Sequence, residues 1–180
     1  MGGLGDDDPA RALRADAARW VVPQEFGDPA AVTPLVLLKL LVRHPPLRAM
    51  AWFRFGSLCS HRGVRGIPSW VQRRLLRLYG LELAVGASIG GGLYIAHPVG
   101  CVLNAESIGD DVTVISQVTF GTRTDGRWPR VADRAFFGAG ARVLGGIEIG
   151  EDAQIGANAV VLEDVAPGSV VVGVPARPVA

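Results

Sequence analysis

The sequence predicts a mainly β protein: a parallel solenoid of six-residue repeats, preceded by a small helical segment. Three observations carry this reading. From Leu83 onward a large apolar residue recurs every sixth position, as Leu83, Ile89, Ile95, then Val102, Ile108, Val114, Phe120, and after a longer gap Val131, Phe137, Val143, Ile149, Ile155, Val161 and Pro167. Thirteen of these fourteen are Leu, Ile, Val or Phe, a period that fits neither a helix nor an alternating strand and is the mark of a β-solenoid. The residue after each is Ala or Gly in ten of the fourteen, small enough to let the chain turn a corner. Finally, composition changes near Gly80. Residues 1–80 carry 12 basic and 6 acidic side chains and 8 glycines, whereas residues 81–180 carry 6, 11 and 16. The expected organisation is therefore an N-terminal helical segment over 1–80 and a repeat domain over 81–180.

Taken in order, about the first 20 residues, acidic and glycine-rich at the start, are expected to stay disordered. Thr33-Pro34 then reads as an N-cap with proline at the first helical position, and Leu35, Leu38, Leu41 and Val42 follow at helical spacing. His44-Pro45-Pro46 breaks that helix. Two more are expected over Leu47–Ser60 and Trp70–Tyr79, separated by Gly63, Gly66 and Pro68. In the repeats, three hexads make one coil, so about five coils fit between Leu83 and Pro175. The register slips twice, where the step from Ile95 to Val102 is seven residues and that from Phe120 to Val131 is eleven. Insertions in a solenoid form loops on its face, so these slips are where chemistry is expected.

Composition narrows the function classes. A net charge of +1 excludes a globally basic nucleic-acid binder, and 49% hydrophobic residues with mean hydropathy +0.30 exclude a disordered chain. Two cysteines, Cys59 and Cys101, give neither a disulfide framework nor a cysteine zinc site, and point to a reducing cytoplasm. The first residues lack a signal pattern, Asp6 breaks the myristoylation pattern, and the apolar run Leu35–Val42 already contains Lys39. The stretch from Pro29 to Leu81 has no acidic residue but holds Lys39 and eight arginines. Peripheral contact with a membrane or another anionic partner is one reading of that run; a solvated helix surface is the commoner one.

The repeat, the run Leu93-Tyr94-Ile95-Ala96-His97 at the first slip, the loop ending Gly126-Arg127-Trp128-Pro129 and the terminal Gly173-Val174-Pro175-Ala176-Arg177 together resemble the hexapeptide-repeat acyltransferases, especially the serine acetyltransferases and their polysaccharide-modifying relatives. The resemblance runs from about Asp28 to the C-terminus. It implies a left-handed parallel β-helix, a homotrimer, and acetyl-CoA as co-substrate bound between neighbouring subunits, with no metal. The helical segment is shorter than the one that pairs trimers in many serine acetyltransferases, so a trimer rather than a hexamer is expected.

Histidine suits the task of taking a hydroxyl proton as the oxygen attacks a thioester, because its ordinary pKa lies near neutrality. His97, alone among histidines in the repeats, matches the family's general base. Glu82, fifteen residues earlier, matches an acidic residue that orients that histidine. Arg127 matches an arginine that meets the acceptor's carboxylate, and Asp28 one of two aspartates that hold the serine amino group. The other aspartate is replaced by Ala96, and a histidine after the loop arginine by Trp128, which leaves a less polar acceptor pocket. Gly121, Thr122, Ala139 and Ala157 match the small residues that line the donor groove. Gly138-Ala139-Gly140 follows the six-residue period and is no dinucleotide fingerprint. Cys101 sits where the family has an aliphatic residue and reads as core.

The implied activity is O-acetylation of serine or a similar small alcohol by direct transfer from acetyl-CoA. A saccharide or secondary-metabolite hydroxyl is the rival acceptor, since Cys101-Val102-Leu103-Asn104 also resembles the polysaccharide-modifying branch. Two other classes fit the sequence less well. A zinc carbonic anhydrase on the same solenoid needs about three histidine ligands. A catalytically silent scaffold has no use for His97, Glu82 and Arg127 together.

Overall fold

A computed structural model of the chain describes residues 8–22, 28, 32–124 and 126–179. Four helices come first among these: α1 (Pro9–Ala18), α2 (Pro34–Arg43), α3 (Pro45–His61) and α4 (Ile67–Tyr79). Thr33 caps α2 as expected, its Oγ1 accepting from the Val36 N–H at 3.3 Å, and His44 turns extended before Pro45 starts α3. Gly80 closes α4 in the left-handed conformation, φ 59°, where a Cβ is unfavourable.

Helix α1 overturns the expectation of disorder for its ten residues. Asp8 caps it, accepting from the Ala10 N–H at 2.9 Å, and Pro9 occupies its first turn. What holds it is tertiary. Asp16 is fully buried, accepts from Arg54 Nε and Nη2 at 2.9 and 3.0 Å, and accepts the Leu93 N–H at 2.9 Å. Arg54 also donates to the carbonyls of Ile89 and Gly90, so one ion pair ties α1, α3 and the first coil together.

Fourteen short strands follow: β1 (Ser88–Ile89), β2 (Tyr94–His97), β3 (Val102–Leu103), β4 (Ser107–Ile108), β5 (Thr113–Ser116), β6 (Thr119–Gly121), β7 (Arg130–Val131), β8 (Phe136–Phe137), β9 (Arg142–Leu144), β10 (Glu148–Ile149), β11 (Gln154–Ile155), β12 (Val160–Val161), β13 (Val170–Val172) and β14 (Arg177–Pro178). They form three parallel sheets that are the faces of a prism. The first face is β3-β6-β9-β12, the second β1-β4-β7-β10, and the third β2-β5-β8-β11-β13 with β14 added antiparallel at its end. The regular strands make about four turns rather than five. The remaining level consists of β13 and an isolated bridge from Ile149 to Val165.

Left-handed residues stack at the corners. Between the second and third faces the column is Gly92, Asp111, Arg134, Asp152 and Gly168, with φ of 74°, 56°, 57°, 58° and 67°. Between the third and first faces it is Gln117, Gly140 and Asn158. Glycine, asparagine and aspartate adopt this region most readily. Arg134 is held there by both oxygens of Asp152, at 2.9 and 2.8 Å, and by Glu151.

Inside, β2, β3, β5, β6, β8, β9, β11 and β12 each contribute an aliphatic or phenyl group with a second buried residue two positions earlier, such as Ala135 with Phe137 and Ala153 with Ile155. One apolar cluster runs from Met50, Phe53, Val71 and Leu75 of the helices through the whole solenoid. The change of composition at Gly80 is therefore not a break in the core. The interior series needs two corrections. Leu103, not Val102, points inward: the corner after Ile95 takes extra residues, and Val102 alternates to the outside. Pro167 is exposed, and Val165 and Val171 fill the last level.

Candidate active site

His97 ends β2 at the corner between the third and first faces, with its side chain exposed. It pairs in register with Ser116 of β5. The same edge continues upward through Ala139 and Ala157, where the Gly140 N–H donates to the Ser116 carbonyl and the Asn158 N–H to the Ala139 carbonyl, both at 2.8 Å. His97 thus heads a column of Ser116, Ala139 and Ala157, none larger than a hydroxymethyl group. A Cβ on Gly138 would lie 2.6 Å from the Ala157 nitrogen, so the coils approach closely here. Small side chains on a flat edge leave an open strip beside the imidazole, long enough for an extended chain.

The corner below His97 is tightly held. The Gly100 N–H donates to the Gly80 carbonyl at 2.9 Å, the Cys101 N–H to the Pro98 carbonyl at 3.0 Å, and Gly100 has φ 78°. Cys101 is fully buried; its Sγ donates to the His97 carbonyl at 3.4 Å, and burial pushes its thiol pKa up. It packs in the core, as the sequence led one to expect, and supports the histidine from within.

Glu82 is half-buried on the first face, bridged to Val102, and its carboxylate accepts from Asn104 Nδ2 at 2.8 Å. Among the described residues no hydrogen bond or ion pair joins it to His97. Asn104 is the partner that sequence reasoning missed; a lone asparagine in a repeat carries no signal of where its amide points.

The eleven-residue slip forms a loop after β6, on the opposite edge of the first face. Gly121 and Thr122 lie half-buried at its base. Arg127 packs over the next coil, where a Cβ on Gly146 would lie 2.6 Å from the Arg127 Cβ, and Arg123 Nη1 reaches the Leu162 carbonyl at 3.4 Å. Trp128 is 41% exposed. Asp28 is exposed between α1 and α2, with residues 23–27 and 29–31 outside the described set. A single chain therefore brings His97, Ala139 and Ala157 to one edge, and Gly121, Thr122, Arg127 and Trp128 to the other. Among the described residues no three His, Cys, Asp or Glu side chains converge to hold a metal ion.

Comparison with known proteins fits this geometry to one group. The chain is 40% identical over 154 residues to a serine acetyltransferase of Mycobacterium tuberculosis, covering 83% of this chain and 66% of that protein. It is 38% identical to one from Helicobacter pylori, covering 83% and 88%. Soybean serine acetyltransferase complexed with serine superposes with a TM-score of 0.80 at 32% identity, over 97% of this chain and 70% of that one. The chain belongs to the serine acetyltransferase family. A serine acetyltransferase solved in complex with CoA matches with a TM-score of 0.78 at 30% identity, over 95% and 69% of the two chains. No protein-family model matches. The chain spans about two thirds of the M. tuberculosis serine acetyltransferase and 60% of the Salmonella typhimurium one. The solenoid described above is the left-handed parallel β-helix of serine acetyltransferases. No helix among the described residues is long and apolar enough to cross a membrane.

Proposed function

We propose that the protein transfers the acetyl group of acetyl-CoA to the hydroxyl of L-serine by direct attack. The observation that carries this is the exposed imidazole of His97 at the head of the small-residue column Ser116, Ala139 and Ala157. Acetyl-CoA lies along that column, with its thioester carbonyl beside His97. The imidazole takes the hydroxyl proton as the serine oxygen attacks the carbonyl carbon, and returns it to the CoA sulfur as the carbon–sulfur bond breaks. Asp28 meets the amino group of serine, and Arg127 its carboxylate through a planar fork.

Glu82 is assigned to the orientation of the imidazole. Its carboxylate is bonded to Asn104, so contact with His97 requires its side chain to rotate as substrates bind; such contacts commonly tighten only in the loaded enzyme. The separation of site residues onto two edges supports a homotrimer, in which the His97 edge of one protomer faces the 122–129 loop of its neighbour. Two buried free thiols suit a reducing cytoplasm.

A second reading has one observation in its favour. The indole of Trp128 stands exposed on the acceptor loop, and an exposed aromatic face suits a sugar or a larger apolar alcohol. Release of CoA thiol by the purified protein, with L-serine alongside sugars and amino alcohols, separates the two. Turnover with serine is expected, and His97→Ala is expected to lose about 10²–10⁴-fold. Turnover with a sugar but not serine would move the activity to the second reading; a fully active His97→Ala would remove the base.

A further inference from the structure

One surface lies outside this chemistry. On helix α4 Trp70, Arg73, Arg74, Arg77 and Leu78 line an open cavity of about 350 Å³. The spacing explains the grouping, since residues three and four apart share one side of a helix. Val71 and Leu75, on the adjoining side, are buried and anchor α4 in the core. The cavity is thus presented by a rigid element.

Its charge is uncompensated. Arg54, Arg130 and Arg134 each hold a carboxylate partner, whereas among the described residues Arg73, Arg74 and Arg77 have no ion pair. No acidic residue occurs anywhere from Pro29 to Leu81. Arg74 is stacked on two indoles, 4.5 Å from the Trp52 ring centre and 5.4 Å from that of Trp70. That stacking fixes the guanidinium plane. It leaves Arg74 Nε buried with no hydrogen-bond acceptor. A buried charged donor without an acceptor is costly, so the Arg74 guanidinium is incompletely paired by the chain itself. Trp70 is 46% exposed and Leu78 54%, so an apolar rim adjoins the three guanidinium groups.

We propose that this cavity is a binding site for a phosphate group, separate from the acetyl-transfer site. Arginine forks match phosphate oxygens in pairs, and three of them without an ion-pair partner suit a phosphate group, whether a monoester or a diester. The chemistry has two possible sources: a soluble phosphate compound, or the headgroup of an anionic lipid whose acyl region meets Trp70 and Leu78.

The test uses the full chain and two probes. Inorganic pyrophosphate is titrated by calorimetry, and vesicles of phosphatidylcholine with and without phosphatidylglycerol are used in co-sedimentation. Arg73→Gln/Arg77→Gln and Arg73→Glu/Arg77→Glu are measured alongside the parent, with thermal melting and serine acetylation as controls for folding. Saturable binding of either probe, weakened tenfold or more in both variants while acetylation stays within twofold, is the expected result. Pyrophosphate binding identifies a soluble source, and binding to phosphatidylglycerol vesicles alone identifies a lipid. Binding of neither probe would overturn the proposal. Binding that is unchanged in both variants would overturn it equally, because it would place the anion elsewhere, including the groove that takes CoA.

Discussion

A histidine on a loop is ordinarily a surface residue, and what sets His97 apart is the company in register above it. Ser116, Ala139 and Ala157 keep the edge flat, and Ala157 is exposed, so a larger side chain there disturbs no core packing. Ala157→Leu is therefore expected to leave thermal stability unchanged and to raise KM for acetyl-CoA about tenfold, or about 1.4 kcal/mol; an unchanged KM would take the donor off this edge. Gly138→Ala differs in kind, because its Cβ would meet backbone of the next coil. It is expected to destabilise by about 1–3 kcal/mol, read from urea midpoints. For Glu82→Gln a displaced pH dependence of kcat/KM is expected, since only the ionised carboxylate favours the imidazolium. An unchanged profile would leave Glu82 solely as the partner of Asn104. The histidine was legible in the sequence because it falls in a slip of the repeat. Of its column the resemblance named Ala139 and Ala157 but neither Ser116 nor the alignment with His97: the steps from 97 to 116, 139 and 157 are unequal, and only the strand pairing aligns them.

Among the elements, α1 and α2 show why some local structure is readable and some is not. Helix α2 announces itself through Thr33-Pro34, whose cap is a contact between near neighbours. Helix α1 is fixed by Asp16 meeting Arg54, 38 residues away, and Leu93, 77 residues away, and no local pattern reports that. The same limit applies to Val102 and Leu103: both are aliphatic, and spacing alone does not tell which faces in. The ion pair makes α1 a strong determinant of stability. Asp16→Ala strands a buried guanidinium and is expected to cost about 3–5 kcal/mol. Burial is the largest influence on Asp16 and pushes its carboxyl above the ordinary value, against the pull of Arg54. The folded state then holds the proton more tightly than the unfolded one. The corresponding stability is complete below the unfolded pKa and is lost as pH rises through the folded one. Asp16→Asn lacks this titration, so the stability gap between parent and variant is expected to narrow as pH rises from about 4 towards neutrality. Denaturant melts across that range measure it, and a gap that widens would reverse the sign.

At the scale of the whole molecule, the distribution of site residues over two edges of one face makes assembly the central question. Mass measurement in solution is expected to give three chain masses. A sharper test mixes defects. His97→Ala and Arg127→Ala trimers are each expected to be impaired, and co-expressed mixed trimers to regain activity, because some interfaces then pair an intact His97 edge with an intact loop. No recovery would place the complete site within one chain. The ends of the solenoid matter for a different reason. A parallel coil offers the same unpaired backbone groups at its last turn as at every turn before it, and stacking of like on like would continue into a filament. Here the first turn is covered by the helices, with Asp16 and Arg54 occupying the backbone groups of Ile89, Gly90 and Leu93, and the last is closed by β14 running backwards along β13. These two lids stop end-to-end growth and leave sideways association as the open route to assembly, the direction that the proposed trimer requires.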